Sequence, residues 1–301
     1  ISLTLDKQGS TDTEVVGVSQ SDLKTEVKFG TSGWRARMDT GEFTLDNVGR
    51  VARAVAEELL EQVATGEYTP INKQTGLRVL VAYDAREGSR EFAQRAVEVL
   101  SAYGITTYIG SELATTPAVI AQTRESLGEK AYDLALHITA SHNDARYNGI
   151  KVLQRGVVAP DSLTSRFADR ANDNTKNKQY SRIPFEKLDV EEVNIVEDTI
   201  GRYRITFPSL LEQVKSYRQR HPEFRIIVDV MHGSSGPYVK LFEEMGAQIT
   251  RRTPMRENTY PQDTFLEDGQ EKPYRPEPKE IFLDQAAFND FRQNAPEGSL
   301  Y

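Results

Sequence analysis

The chain has 301 residues, 38% hydrophobic and 27% charged, with 45 acidic against 37 basic side chains and a formal net charge of -8. These proportions are those of a globular protein of one large or two smaller domains, and they exclude disordered and fibrous classes. The acidic balance argues against nucleic acid or an anionic membrane as partner, and the absence of cysteine excludes disulfides, thiolate metal sites and cysteine nucleophiles. No stretch reaches the roughly 18 apolar residues of a membrane span, and the opening ISLTLDKQGS lacks a basic segment followed by an apolar one. A cytoplasmic protein is expected.

Residues 1–27 are polar, with short apolar pieces at Val15, Val16 and Val18, and read as an N-terminal arm or edge strand. From Leu45 the apolar residues Val48, Val51, Ala52, Val55, Leu59 and Val63 recur at helical spacing behind Thr44, a suitable N-cap. Residues 77–83 (LRVLVAY) predict a buried strand, and Ser89 opens a second helix through Phe92, Ala96, Val99 and Leu100. Ile105 to Ile109 predicts a strand, Pro117 starts a helix reaching about Leu127, and Tyr132 to Ile138 predicts another buried strand. Alternation of apolar strands with helices predicts a mostly parallel sheet covered on both faces, with ligands at the carboxyl strand ends.

Residues 160–194 become polar and charge-mixed, which predicts a solvent-facing helix and an interdomain connection. Beyond a boundary near 190, Arg225 to Val230, Pro237 to Met245 and Ala247 to Thr250 form a strand, helix and strand, hence a βαβ unit. The expected fold class is α/β: two doubly wound, mostly parallel or mixed α/β/α sandwich domains. Domain I covers 28–189, and domain II covers 190–301 with an irregular C-terminal tail.

The most informative segment is LHITASHNDARYNGIKV, residues 136–152. A buried strand runs into a polar loop with Ser141 and His142, and the hairpin signal Asn148-Gly149 returns the chain through Lys151. A serine hydroxyl so placed is a candidate phosphoryl acceptor when a base or strong positive charge stands beside it. The alternative is a turn whose side chains satisfy loop backbone. In FGTSGWRAR, Gly30 and Gly33 bracket Thr31 and Ser32 ahead of Arg35 and Arg37, a phosphate-friendly composition that matches neither G-x-G-x-x-G nor the P-loop. Arg86, in Tyr83-Asp84-Ala85-Arg86, belongs either to the same rim or to a solvated ion pair. His137 is read as a core histidine, His221 as a surface one, and His232 as part of a tight turn. A serine hydrolase is disfavoured because no G-x-S-x-G elbow occurs.

FGTSGWRA, YDAREGS, TASHNDARYNGIKV and VDVMHGSSGPYV, in this order, resemble the phosphoglucomutase/phosphomannomutase family of α-D-phosphohexomutases. The resemblance extends over about residues 28–280, the first two of that family's four domains. It implies that Ser141 is carried as phosphoserine and that phosphoryl passes between C1 and C6 of a hexose phosphate. Lys151 then stands as general acid or base, with Arg35 and His142 in the catalytic set. Thr31, Ser32, Asn143 and Arg37 become substrate- and phosphate-binding positions, and Arg146 a further local cation. It also implies Mg2+, held at Ser141 through its phosphate, a hexose 1,6-bisphosphate activator and a hexose phosphate substrate. Two departures are visible: Asp144 stands where the family usually has Pro, and the family's Asp-rich metal loop is not matched. The chain alone is therefore expected to be catalytically incomplete, completed by a C-terminal half. The alternative is an inactive phosphosugar-binding module of the same fold.

Overall fold

The computed structural model describes residues 12–30, 33–173, 175, 178–222, 225–228, 233–244, 249–251, 264–267, 270–273 and 299–300. In chain order these form β1 (Glu14–Gly17), α1 (Gln20–Lys24), β2 (Phe29–Gly30), β3 (Gly33–Arg37), α2 (Leu45–Thr65), β4 (Arg78–Tyr83), α3 (Ser89–Ala102), β5 (Thr106–Gly110) and α4 (Thr116–Ala121). There follow β6 (Leu134–Ile138), β7 (Tyr147–Gln154), β8 (Val157–Val158), α5 (Asp161–Asn172), β9 (Gln179–Arg182), β10 (Glu191–Val193), α6 (Ile195–Thr206) and α7 (Leu210–Arg220). The chain continues with β11 (Arg225–Val228), α8 (Val239–Glu244), β12 (Ile249–Arg251), β13 (Thr264–Glu267), β14 (Gln270–Pro273) and β15 (Ser299–Leu300).

The main sheet has the order β10-β5-β4-β6-β7-β3-β2, with β8 on β7. β10, β5, β4 and β6 are parallel, whereas β7, β3 and β2 join antiparallel. Strand alternation sorts the side chains into two cores. Val79, Val81, Leu134, Leu136, Ile150, Val152, Trp34 and Ala36 face the layer that includes α2 and α3. Leu80, Ala82, Ala135 and Leu153 face Ala118, Val119 and Ile195 of α4 and α6. This is the α/β/α sandwich expected of domain I. β10 lies just past residue 190 and forms the edge of this first sheet, while β1 pairs antiparallel with β9.

α2 begins where its cap predicts: Thr44 Oγ1 accepts from the Asn47 N–H at 3.1 Å. It ends at Gly66, whose φ of 77° suits a left-handed C-cap. α4 is shorter than expected. It stops at Ala121, and a 3-10 segment, Glu125–Lys130, carries the chain toward β6. α5 also departs from expectation: it is a packed amphipathic helix, with Leu163, Thr164, Phe167 and Ala171 buried, and Phe167 belongs to the core shared with α2. Its charged residues disguised this, since Arg166 and Arg170 reach Glu58 of α2, itself only 2% exposed.

Further along the chain β11 pairs in parallel with β12 and with β15. The first of these pairings is the one a βαβ unit requires. Helices α6 and α7 lie between residues 195 and 220. The RPEPKE segment at 275–280 lies outside the described residues.

Candidate active site

The site lies at the carboxyl ends of β4 and β6, the usual ligand end of a parallel sheet. These ends are tied together, because the Asp84 N–H donates to the Ile138 carbonyl at 3.0 Å. From Ile138 the chain makes a wide loop, 139–146, before returning in β7. Asn148 and Gly149 are not the turn that the Asn-Gly signal predicted. Both are fully inside β7, and Gly149 is demanded by close packing: a Cβ there would stand 2.4 Å from the Trp34 carbonyl oxygen and 2.8 Å from that of Thr139. The Asn148 side chain donates to Ser89 Oγ at 2.9 Å, which fastens β7 to the start of α3.

Ser141 is half-buried and has φ of 61°, a left-handed backbone that non-glycine residues seldom adopt. Its N–H donates to Thr139 Oγ1 at 2.9 Å, and the Asn143 N–H donates to the Ala140 carbonyl at 3.2 Å. His142 is exposed. Asn143 is half-buried, and its Oδ1 accepts from Arg35 Nη1 at 3.2 Å, which joins β3 to the serine loop.

Register explains how Arg35 and Lys151 come together. Arg35 pairs with Gly149 across β3 and β7, and Lys151 is two residues further along β7, so both side chains leave the same face of the sheet. The bare Gly149 leaves room for the Arg35 stem, whose Cγ would lie 3.1 Å from a Cβ. Lys151 is 9% exposed; burial and the neighbouring Arg35 charge hold its ammonium below its ordinary pKa, opposed by Asp84. Burial and the Arg86 charge likewise lower Arg35. Positive groups are thus gathered at one strand end of an acidic chain.

The other predicted cations are held by carboxylates of their own. Arg37 donates to both oxygens of Asp39, from Nε at 2.9 Å and Nη2 at 2.5 Å. Arg146 does the same to Asp144, at 2.9 Å from both Nε and Nη2. Asp144 is 5% exposed and also accepts from the Arg146 N–H at 3.0 Å, so the residue standing where Pro was anticipated closes a turn through its side chain. Thr31, Ser32 and His232 lie outside the described residues.

Arg86 is the residue sequence reasoning undervalued. It is 2% exposed, not solvated, and its guanidinium reaches the carbonyls of Ser141, Asn143, Asp144 and Tyr147. The available signal was its position after β4, beside the strand that leads into the serine loop. Ser234, within the GSSG motif, accepts from the Ala85 N–H at 3.2 Å. That motif therefore meets the segment carrying Arg86.

Among the described residues, no group of three or more His, Asp or Glu stands ready to hold a metal ion. The carboxylates beside the serine loop, Asp84 and Asp144, are engaged by Arg86 and Arg146. The described side chains thus do not by themselves fit Mg2+. No helix among them is long and apolar enough to cross a membrane.

A mixed sheet covered by helices on both faces, with a serine loop between β6 and β7 at the carboxyl strand ends, defines an α/β/α domain with a candidate ligand site. The family model for phosphoglucomutase/phosphomannomutase, alpha/beta/alpha domain I, matches residues 26–178, just over half of the chain, and the chain belongs to that family. It is 27% identical over 223 residues to a phosphoglucomutase of Staphylococcus epidermidis, covering 73% of this chain and 37% of the relative. It is 28% identical over 225 residues to a phosphoglucomutase of Staphylococcus aureus, covering 74% and 38%. Parafusin, a phosphoglucomutase structure from Paramecium, superposes with a TM-score of 0.61 at 21% identity, over 78% of this chain and 44% of that one. A phosphoglucomutase/phosphomannomutase family protein of Burkholderia thailandensis gives 0.57 at 19% identity, over 93% and 52%. The structural likenesses bear on the fold. The chain spans under two fifths of the length of the curated relatives it matches.

Proposed function

We propose that the chain forms the phosphoserine-bearing half of a phosphohexomutase acting on glucose or mannose phosphates in the cytoplasm. The observation that carries this reading is the placement of Ser141: a left-handed residue at the end of β6, in a loop that Arg35 contacts through Asn143, with Lys151 on the same sheet face as Arg35.

In the proposed cycle the phosphoryl group leaves Ser141 Oγ for a hydroxyl oxygen of the hexose phosphate. The P–O bond to serine breaks, the P–O bond to the sugar forms, and Lys151 in its neutral form takes the hydroxyl proton and passes it to the departing Ser141 Oγ. The bisphosphate turns over, its other phosphoryl returns to Ser141 Oγ, and Lys151 carries the serine hydroxyl proton to the departing sugar oxygen. Phosphoryl transfer depends on positioning and charge neutralisation more than on covalent work by the protein. Phosphoserine carries about 1.5 to 2 negative charges. Arg35 is the cation proposed to meet them, with Asn143 orienting the phosphate and Lys151 kept for proton transfer; His142, Thr31 and Ser32 complete the proposed set, with Arg37 at its rim. Mg2+, as the family resemblance implies, would neutralise the same phosphate, but no step here is routed through it.

The test is conversion of glucose 1-phosphate or mannose 1-phosphate to the 6-phosphate, primed with hexose 1,6-bisphosphate, by the protein that contains this chain. Turnover lost on Ser141→Ala supports the reading. Phosphosugar binding without conversion or phosphorylation would replace it with a binding module.

A further inference from the structure

We propose that Arg86 is the positioning residue that moulds the Ser141 loop, an inference that rests on the phosphoserine reading of that loop. A guanidinium has five N–H donors in a fixed planar fork. Here all five have acceptors: Nε meets Asp84 Oδ2 at 3.2 Å, Nη1 meets the carbonyls of Asp144 at 2.8 Å and Tyr147 at 3.0 Å, and Nη2 meets those of Ser141 at 2.9 Å and Asn143 at 2.6 Å.

Four converging carbonyls within seven residues would repel one another without a cation at their centre. Their convergence is what bends the chain through the left-handed Ser141, a conformation that non-glycine residues resist. Charge-assisted bonds to a planar fork are directional enough to hold it. The fork is itself aimed from behind. Asp84 Oδ1 accepts from the Arg86 N–H at 3.0 Å and from Ser89 Oγ at 2.9 Å, and Ser89 Oγ in turn accepts from Asn148 of β7. The loop is therefore clamped from β4 and α3, elements outside it. With its donors committed to four backbone carbonyls and the Asp84 carboxylate, and only 2% of its surface exposed, Arg86 does not bind the substrate phosphate; it sets where the Ser141 hydroxyl stands.

The decisive comparison is the wild-type chain against Arg86→Lys, which keeps the charge but loses the fork, and Arg86→Met, which loses both. Amide hydrogen exchange across 139–147 reads the loop directly, because the Ser141, Asn143 and Tyr147 N–H groups all bond within it. The expected result for both variants is exchange at least about tenfold faster at these amides, with β4 and β6 still protected. Phosphoryl loading of Ser141 from hexose 1,6-bisphosphate is expected to fall by about tenfold or more, and added guanidinium ion to restore part of it in Arg86→Met. Unchanged loop exchange in Arg86→Lys overturns the proposal. So does exchange raised uniformly across the domain, since Arg86 would then serve the fold at large. If the protein that contains the wild-type chain takes no phosphoryl, the phosphoserine reading fails, while the exchange pattern still decides whether Arg86 shapes the loop.

Discussion

His137 on β6 and Lys151 on β7 stand directly opposite each other in the antiparallel pairing, and each holds its proton less tightly than it would in water. His137 is wholly buried, with Nδ1 3.1 Å from Thr116 Oγ1 at the start of α4. Burial first, and then the Lys151 charge, push its pKa down to about 4, against an upward pull from Asp84.

The folded value lies below the unfolded one, so between about pH 4 and 6.5 the unfolded chain binds the proton that the folded chain refuses. Stability from this group is complete above pH 6.5 and declines as pH falls toward 4, by about 3 kcal/mol in all. Denaturant unfolding at pH 7 and pH 4.5 is expected to show a smaller pH-dependent loss in His137→Asn than in the wild type. An equal loss in both would assign the acid sensitivity to other groups.

Lys151 carries the corresponding kinetic prediction. Its pKa is lowered, so the neutral base becomes available below the ordinary lysine range, and the rate of phosphoryl transfer should rise with pH through that lowered value. Lys151→Gln should slow single-turnover transfer by roughly 10²- to 10³-fold and flatten that limb. A variant that keeps the limb would move the proton transfer to another residue.

Gly149→Ala places a methyl group against two backbone carbonyls that cannot swing aside. Overpacking of this kind costs about 1–3 kcal/mol, and the loss is expected at the upper end of that range or beyond. The denaturation midpoint checks it, and a shift near zero would mean that β3 and β7 are less closely apposed.

For α5, Phe167→Ala should destabilise the chain by about 3–5 kcal/mol, as deletion of a fully buried aromatic ring does. A solvent-facing helix would lose almost nothing.

The legible parts of the fold were those where one physical signal dominates. Thr44 capping α2, and the apolar runs of β4 and β6, needed only local periodicity and side-chain chemistry. Asn148-Gly149 misled because the same pair serves either a turn or a tight crossing of strands, and only the facing carbonyl of Trp34 decides between them. α5 misled because its arginines answer Glu58 across 100 or more residues of chain, which makes a packed face resemble a solvated one. Ser141, Arg35 and Lys151 could be named from motifs. That Arg35 and Lys151 share a sheet face follows from the β3–β7 register, which no local pattern contains. Arg86 was hidden for a like reason: its partners are backbone carbonyls, which carry no sequence mark.

The most direct test of the account is to incubate the protein with hexose 1,6-bisphosphate labelled in its phosphoryl groups and locate the label by peptide mass spectrometry. The account predicts one phosphoryl group on Ser141, absent in Ser141→Ala and discharged by added hexose monophosphate. Label on another residue, unaffected by Ser141→Ala, would contradict it.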